Sequence, residues 1–185
     1  MIRSVFAIAC LVLASPQGSQ DEELLKALSS SKHSLLEAVQ QLSKGAETPI
    51  SAKFEIEDGK FSLSVYTAGK GLGVDAEHNV LQEYAGSPTT ATWEPKVEVF
   101  DDVEHVARSS QQLTLMALAS ASMVDVLKKA EKGQPGTIYS ITPVLRGRKA
   151  QFVVLTAQNG RSVEIVYDLL SGEAIKARDA DAPKK

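Results

Sequence analysis

The stretch AQFVVLTAQNGRSVEIVYD, Ala150 to Asp168, decides the fold. Two apolar runs flank Gln158-Asn159-Gly160. Asn-Gly is the favoured pair where both central residues of a tight hairpin need positive φ. Before the turn, Phe152, Val153, Val154 and Leu155 form the most apolar strand of the chain. After it, Val163, Ile165 and Tyr167 alternate with Ser162, Glu164 and Val166, the period-two pattern of a strand. The stretch predicts an antiparallel hairpin.

Working outward, Thr137 to Leu145 reads as extended, and its Pro143 suits an edge or a bulge. Arg146-Gly147-Arg148 turns into the central hairpin. Leu170-Ser171-Gly172 turns out of it, and Glu173 to Ala177 closes the meander. A long helix is predicted before these strands, from about Asp101 to Lys132. Leu113, Met116, Leu118, Met123, Val126 and Leu127 supply its apolar face. Ser109-Ser110 leaves room for a break near its start, and Gly133 follows as a left-handed stop.

The first half has the same order. Asp21 to Lys44 carries Leu24, Leu25, Leu28, Leu35, Leu36, Val39 and Leu42 at helical spacing, weakened at Ser29-Ser30-Ser31, with Gly45 as the stop. Ile50 to Ile56 and Phe61 to Tyr66 alternate around Asp58-Gly59, a hairpin signal. Leu72 to Asp75 is predicted as a short strand, Glu77-His78-Asn79 as a turn, and Val80 to Tyr84 as a last strand. Residues 86–100 read as a linker, punctuated by Gly86, Pro88 and Pro95. Within it Val97 to Phe100 can add an edge strand, and Trp93 pins the connection onto a core.

The fold class is therefore α+β: two repeats of a long helix followed by a three- to four-stranded antiparallel meander, helices packed on one sheet face. The units span 21–85 and 101–178, with a short polar lead at 15–20 and a disordered tail at 179–185. Residue matches support the repeat. Lys44-Gly45 matches Lys132-Gly133, and Gly59 matches Gly147, at an offset of 88. Tyr66 to Gly71 aligns with Leu155 to Gly160 at 89, and Val74-Asp75 with Tyr167-Asp168 at 93.

This unit resembles the PepSY family, a helix and three antiparallel strands ending in an aspartate, a turn and a glycine-led apolar segment. Tyr167-Asp168-Leu169-Leu170-Ser171-Gly172-Glu173-Ala174-Ile175 carries the pattern. Val74-Asp75-Ala76-Glu77-His78-Asn79-Val80-Leu81 carries it with Asn79, a residue that tolerates positive φ, in place of glycine. The resemblance implies a peptidase-associated or protein-binding module, in some cases an inhibitory propeptide, and implies binding rather than chemistry.

The N-terminus reads as a secretory signal. Arg3 gives a positive start, Val5 to Leu13 is apolar but too short to span a bilayer, and cleavage is placed after Ala14. Ala7-Ile8-Ala9-Cys10 resembles a lipoprotein cleavage box, but the apolar run before Cys10 is very short and continues past it. Cys10 is the chain's one cysteine, so a chain cut after Ala14 has no thiol, disulfide or Cys-zinc site. The expected location is the periplasm or the outside of the cell, with no membrane span in the mature chain. The net charge of -3 offers no basic excess for nucleic acid.

Catalytic signatures are not found. Asp101 and His105 stand four apart at a helix start and are the candidate metal or hydrolase pair, half a site at best. His33 and His78 stand alone. Gly69-Lys70-Gly71-Leu72-Gly73 lacks a following Ser or Thr and a βαβ setting, so it reads as a turn rather than a phosphate loop. Asp75 and Asp168 read as turn-formers. No cofactor, metal or catalytic residue is expected. The leading expectation is an exported, non-catalytic protein- or peptide-binding module, inhibitory or chaperone-like. Its candidate partner face carries Ser62, Ser64, Tyr66, Gln151 and Val153, opposite the helices, and a sheet edge is the other candidate surface. A metal-binding protein or hydrolase, and a structural envelope protein assembled through the Ala-rich helix, are the alternatives.

Overall fold

A computed structural model describes residues 17–180. The expected signal segment with Cys10, and residues 181–185 of the tail expected at 179–185, lie outside the described residues; Asp179 instead ends the last strand and the Ala180 amide donates to the Ser162 carbonyl. The chain is α+β, with α1 at Gln17–Ala27, α2 at Leu35–Leu42, β1 at Thr48–Glu57, β2 at Lys60–Ala68, β3 at Leu81–Gly86 and β4 at Lys96–Val99. Then follow α3 at Val103–Leu118, α4 at Met123–Gly133, β5 at Thr137–Arg146, β6 at Lys149–Gln158, β7 at Arg161–Asp168 and β8 at Ala174–Asp179. All eight strands join one sheet in the order β4-β3-β2-β1-β5-β6-β7-β8, antiparallel throughout.

Neither long helix is continuous. The first breaks at the serines: Ser29 and Ser30 donate their hydroxyls to the carbonyls of Lys26 and Ala27 in a 3₁₀ turn. Side-chain bonding of this kind competes with the helical ladder. Ser34 then starts α2 with a reciprocal cap, accepting from the Glu37 amide while the Glu37 carboxylate accepts from the Ser34 amide. The predicted break at Ser109-Ser110 does not occur. The second helix breaks instead at residues 119–122, where Ser122 caps α4 and the Ser120 hydroxyl donates to the Leu170 carbonyl. Gly45 and Gly133 are not left-handed stops, since neither has a positive φ. The helix α1 begins at Gln17, inside the stretch read as a polar lead.

The tight hairpins form as predicted. Asp58-Gly59, Gly147-Arg148 and Asn159-Gly160 all have positive φ at both positions, the geometry that matches strand twist. The β1–β2 and β5–β6 hairpins share a register. Thr48 pairs with Ala68 as Thr137 pairs with Ala157, and Ser51 with Tyr66 as Ser140 with Leu155, each partner lying 89 positions on (48 to 137, 68 to 157). Both first strands carry an irregularity at the same place, around Ile50 and Tyr139. The hairpin turns align Asp58 with Gly147, so the predicted match of Gly59 with Gly147 is one residue out.

The predicted strand Leu72 to Asp75 is not one. Residues 69–80 form a loop held from inside by Asn79. Its Oδ1 accepts from the amides of Lys70 and Val80, and its Nδ2 donates to the carbonyls of Gly71 and Val74. Asn79 has no positive φ, so it serves as a staple and not as a glycine substitute. The third strand of the first half is Leu81–Gly86. Asp75 therefore precedes that strand, while Asp168 ends the corresponding β7. The expected equivalence of these aspartates fails, and with it the first half's share of the aspartate-turn pattern.

Strand alternation sorts the sheet into two faces. Ala52, Leu63, Val65, Ile141, Phe152, Val154, Ile165 and Tyr167 share one face through the cross-strand pairs. They are buried in one core with Leu35, Val39, Val126 and Leu127 of α2 and α4. Each of the Val, Leu, Ile and Phe side chains among them contributes about 1.5–3 kcal/mol of burial. The other face is not bare. Phe100 packs on Tyr66 at a ring distance of 6.0 Å and stacks on His105 at the start of α3 at 4.9 Å. Leu24 and Leu25 of α1 line a cavity with Val153, Leu155 and Glu164. Helical segments thus approach both faces, where one face was expected.

Candidate functional site

Ser62, Ser64, Tyr66, Gln151 and Val153 do share one face, across β2, β1, β5 and β6. They do not form an open surface. Ser64, Tyr66 and Val153 are buried, and Ser62 and Gln151 are half-buried. Phe100 covers Tyr66, whose hydroxyl is pushed far up in pKa by burial and by the Glu55 and Glu83 carboxylates. Phe100 over Tyr66 and α1 beside Val153 cover part of this face, and Ser62 and Gln151 stay half-buried.

The same face carries a charged knot under α1. Glu164 has a side chain only 7% exposed and accepts from Arg146 at 2.8 Å and from Arg178 at 2.8 Å. Burial raises its pKa, but the two guanidiniums outweigh that and hold the carboxyl below its ordinary value. Nearby, the hydroxyls of Tyr139 and Ser162 are hydrogen-bonded at 2.5 Å. These contacts tie β5, β7 and β8 together.

His105 is bonded to Asp102 rather than to Asp101, the other member of the candidate pair. Asp102 is the N-cap of α3, and its carboxylate accepts from the His105 amide at 3.0 Å and meets His105 Nδ1 at 2.7 Å. Asp101 stands outside the helix. In the β2–β3 loop, Asp75, Glu77 and His78 hold ligand atoms within 4.8 Å of one another, all exposed. Asp75 already binds the His78 amide and ring, which lowers its pKa. His33 contacts the Thr90 carbonyl at 2.9 Å, and Trp93 is buried at 2% exposure, pinning the connection as expected. Asp168 accepts from the amides of Leu170 and Ser171 and from the Ser171 hydroxyl, so it is a turn-former.

One accessible feature is a groove between the edge strand β8 and α4. It has a volume of about 320 Å³ and is lined by Lys129, Gly133 and Gln134 on the helix side and Glu173 to Ala177 on the strand side. Ile165 and Tyr167 also line it. Ile175 is exposed at 48%, an unusual place for a large aliphatic residue on a strand edge. One end is fixed by Lys129, which donates to the Gly172 carbonyl and pairs with Glu173, each at 2.8 Å. Gly172 has φ +68, and a Cβ there would lie 2.6 Å from Ala121 Cβ, so the turn sits directly on the α3–α4 corner. Sequence reasoning named an edge as a candidate surface but not this one. The signal it offered was Ile175 on the last strand, next to the turn at Gly172.

No protein-family model matches the chain, and no curated protein matches it. Among solved structures, the chain is similar to a crystallised "putative lipoprotein" from Clostridium difficile 630, at 17% identity with a TM-score of 0.38. The match covers 80% of this chain and 93% of that one.

Proposed function

We propose that this protein is an exported, non-catalytic module of the cell envelope that binds a protein or peptide by strand addition at β8. The single observation that carries the reading is the groove beside that edge. An extended segment laid along Ala174–Asp179 would complete the unpaired outer side of β8 with main-chain hydrogen bonds. Its alternate side chains would enter the groove against Ile175, Ala177 and Tyr167. Main-chain pairing supplies affinity with little sequence demand, and the groove supplies selectivity. A segment held extended is kept from folding and from a protease, which suits an inhibitory or chaperone-like role.

The proposed architecture is a duplicated PepSY-like unit. It is supported by the shared register of the β1–β2 and β5–β6 hairpins and by the matching irregularities at Ile50 and Tyr139. The pattern of Tyr167 to Ile175 carries the family likeness, in the second half alone. The export reading rests on the N-terminal sequence, Arg3 followed by a short apolar run.

The test places a photoreactive residue at position 175 in the protein in its own cells. A partner protein cross-linked through β8, and lost when Ile175→Asp is combined with a probe at Ala177, is the expected result. Cross-links that arise from Ser62 or Gln151 and never from β8, or retention of a small molecule with no protein, would overturn the reading.

A further inference from the structure

The opposite edge of the sheet is the short strand β4, Lys96–Val99, whose four residues are all exposed. Val97 and Val99 point to one side and are 54% and 57% exposed. Lys96 and Glu98 point to the other. On that side Glu98 lies directly across from Glu83 of β3. Like charges in facing positions are destabilising. Among the described residues, no ion pair involves Glu83, Glu98 or Lys96. Glu83 has the Tyr66 hydroxyl as a partner, so the edge strand itself presents Glu98 without a cation, Lys96 without an anion and two exposed valines, beside an outer row of backbone groups.

A strand that satisfies this edge needs three things in order: a base facing Glu98, an aliphatic residue facing Val97, and an acid facing Lys96. The strand Lys96-Val97-Glu98, run antiparallel, is that sequence. We infer that β4 pairs with β4 of a second copy about a two-fold axis through Val97. Val97 then meets its own counterpart, and each Lys96 faces Glu98 of the other copy, twice by symmetry. A two-fold through Glu98 would set Glu98 against itself, and one between Val97 and Glu98 would set charges against valines, so the charge pattern selects the first register. Pro95, which has no amide hydrogen to give, ends the ladder on one side and keeps the contact short. The product is a continuous sheet of two copies that leaves both β8 edges free. The inference is independent of the function proposed for β8.

The experiment is sedimentation equilibrium of the purified protein and of charge-reversed variants at exposed positions, with circular dichroism to verify folding. The wild type is expected to dimerise reversibly. Lys96→Glu alone, which faces acid with acid, and Glu98→Lys alone, which faces base with base, should each weaken dimerisation roughly tenfold or more. Mixing the two single variants should restore association as a one-to-one heterodimer, and combining both changes in one chain should restore the homodimer. A wild type that stays monomeric up to millimolar concentration would overturn the inference. So would single variants that dimerise like wild type, or a mixture that does not associate. Growth beyond the dimer would also overturn it, and would point instead to β4 pairing with the basic strand β8 of the next copy.

Discussion

Ala52 lies directly opposite Ile141 where β1 pairs with β5, and both side chains are fully buried. The two residues stand 89 positions apart (52 to 141), the same spacing that relates the two hairpins. The seam between the halves therefore joins corresponding positions face to face, and it makes one sheet and one core from them. Ile141→Ala should cost about 2–5 kcal/mol, since it opens a cavity at the seam where neither half can collapse alone. Urea unfolding followed by tryptophan fluorescence and by circular dichroism checks this. Trp93 reports on the first half, and the two probes should give one coincident transition for the wild type.

The Arg146–Glu164–Arg178 knot sets a pH dependence. The Glu164 carboxyl is held below its ordinary value of 4.5. A carboxyl depressed in the folded state contributes stability above its unfolded pKa and loses it as the pH falls through the folded one. The wild type should therefore lose stability progressively below about pH 4.5. Glu164→Gln leaves two arginines without their shared anion and should cost about 1–3 kcal/mol at neutral pH, with a smaller further loss on acidification. Denaturant midpoints measured between pH 3 and pH 7 on the two proteins read the difference directly.

Asp168 and Asp75 should behave differently on substitution. Asp168 holds the β7–β8 turn through three hydrogen bonds, whereas Asp75 bonds only within its own exposed loop. Asp168→Ala should lower the melting temperature and speed amide exchange along β8. Asp75→Ala should leave both near wild-type values.

Gly136 precedes β5 with φ +114, and a Cβ there would lie 2.4 Å from the Ala157 carbonyl oxygen. Gly136→Ala should strain the backbone by about 1–3 kcal/mol and displace the start of β5 from β6. Gly133→Ala, at a helical position with nothing within 4 Å of an added Cβ, should be neutral or stabilising in the same denaturation series.

Local signals read well from sequence and long-range ones did not. Asp58-Gly59 and Asn159-Gly160 declare their hairpins because few residues accept two successive positive φ angles. The alternation of Val163, Ile165 and Tyr167 declares a strand, although the positions between them, Ser162, Glu164 and Val166, are buried too. The break at Ser29-Ser30 follows from hydroxyls that compete for helical carbonyls. The break at residues 119–122 was not legible, because it answers to a corner where Ser120 bonds to the Leu170 carbonyl, 50 positions away. Asp75 misled for a related reason. An aspartate, a short spacer and a turn residue look alike whether they follow a strand or sit within a loop, and the Asn79 network that decides it is tertiary. The candidate face had the right membership, but pattern alone does not tell that Phe100 and α1 fold back over it. The β8 groove needed the structure, since Ile175 gains its meaning from α4 beside it.

Docking of an extended segment on β8 leaves a direct trace in the exchange of that strand's amides. Amide hydrogen exchange across Ala174–Asp179, with and without the partner captured through position 175, tests it most directly. Strand addition predicts slowed exchange at alternating amides of β8, those that point away from β7, with β4 unchanged by that partner. Protection confined to the helices or to the Ser62 and Gln151 face, with β8 exchanging as in the free protein, would contradict it.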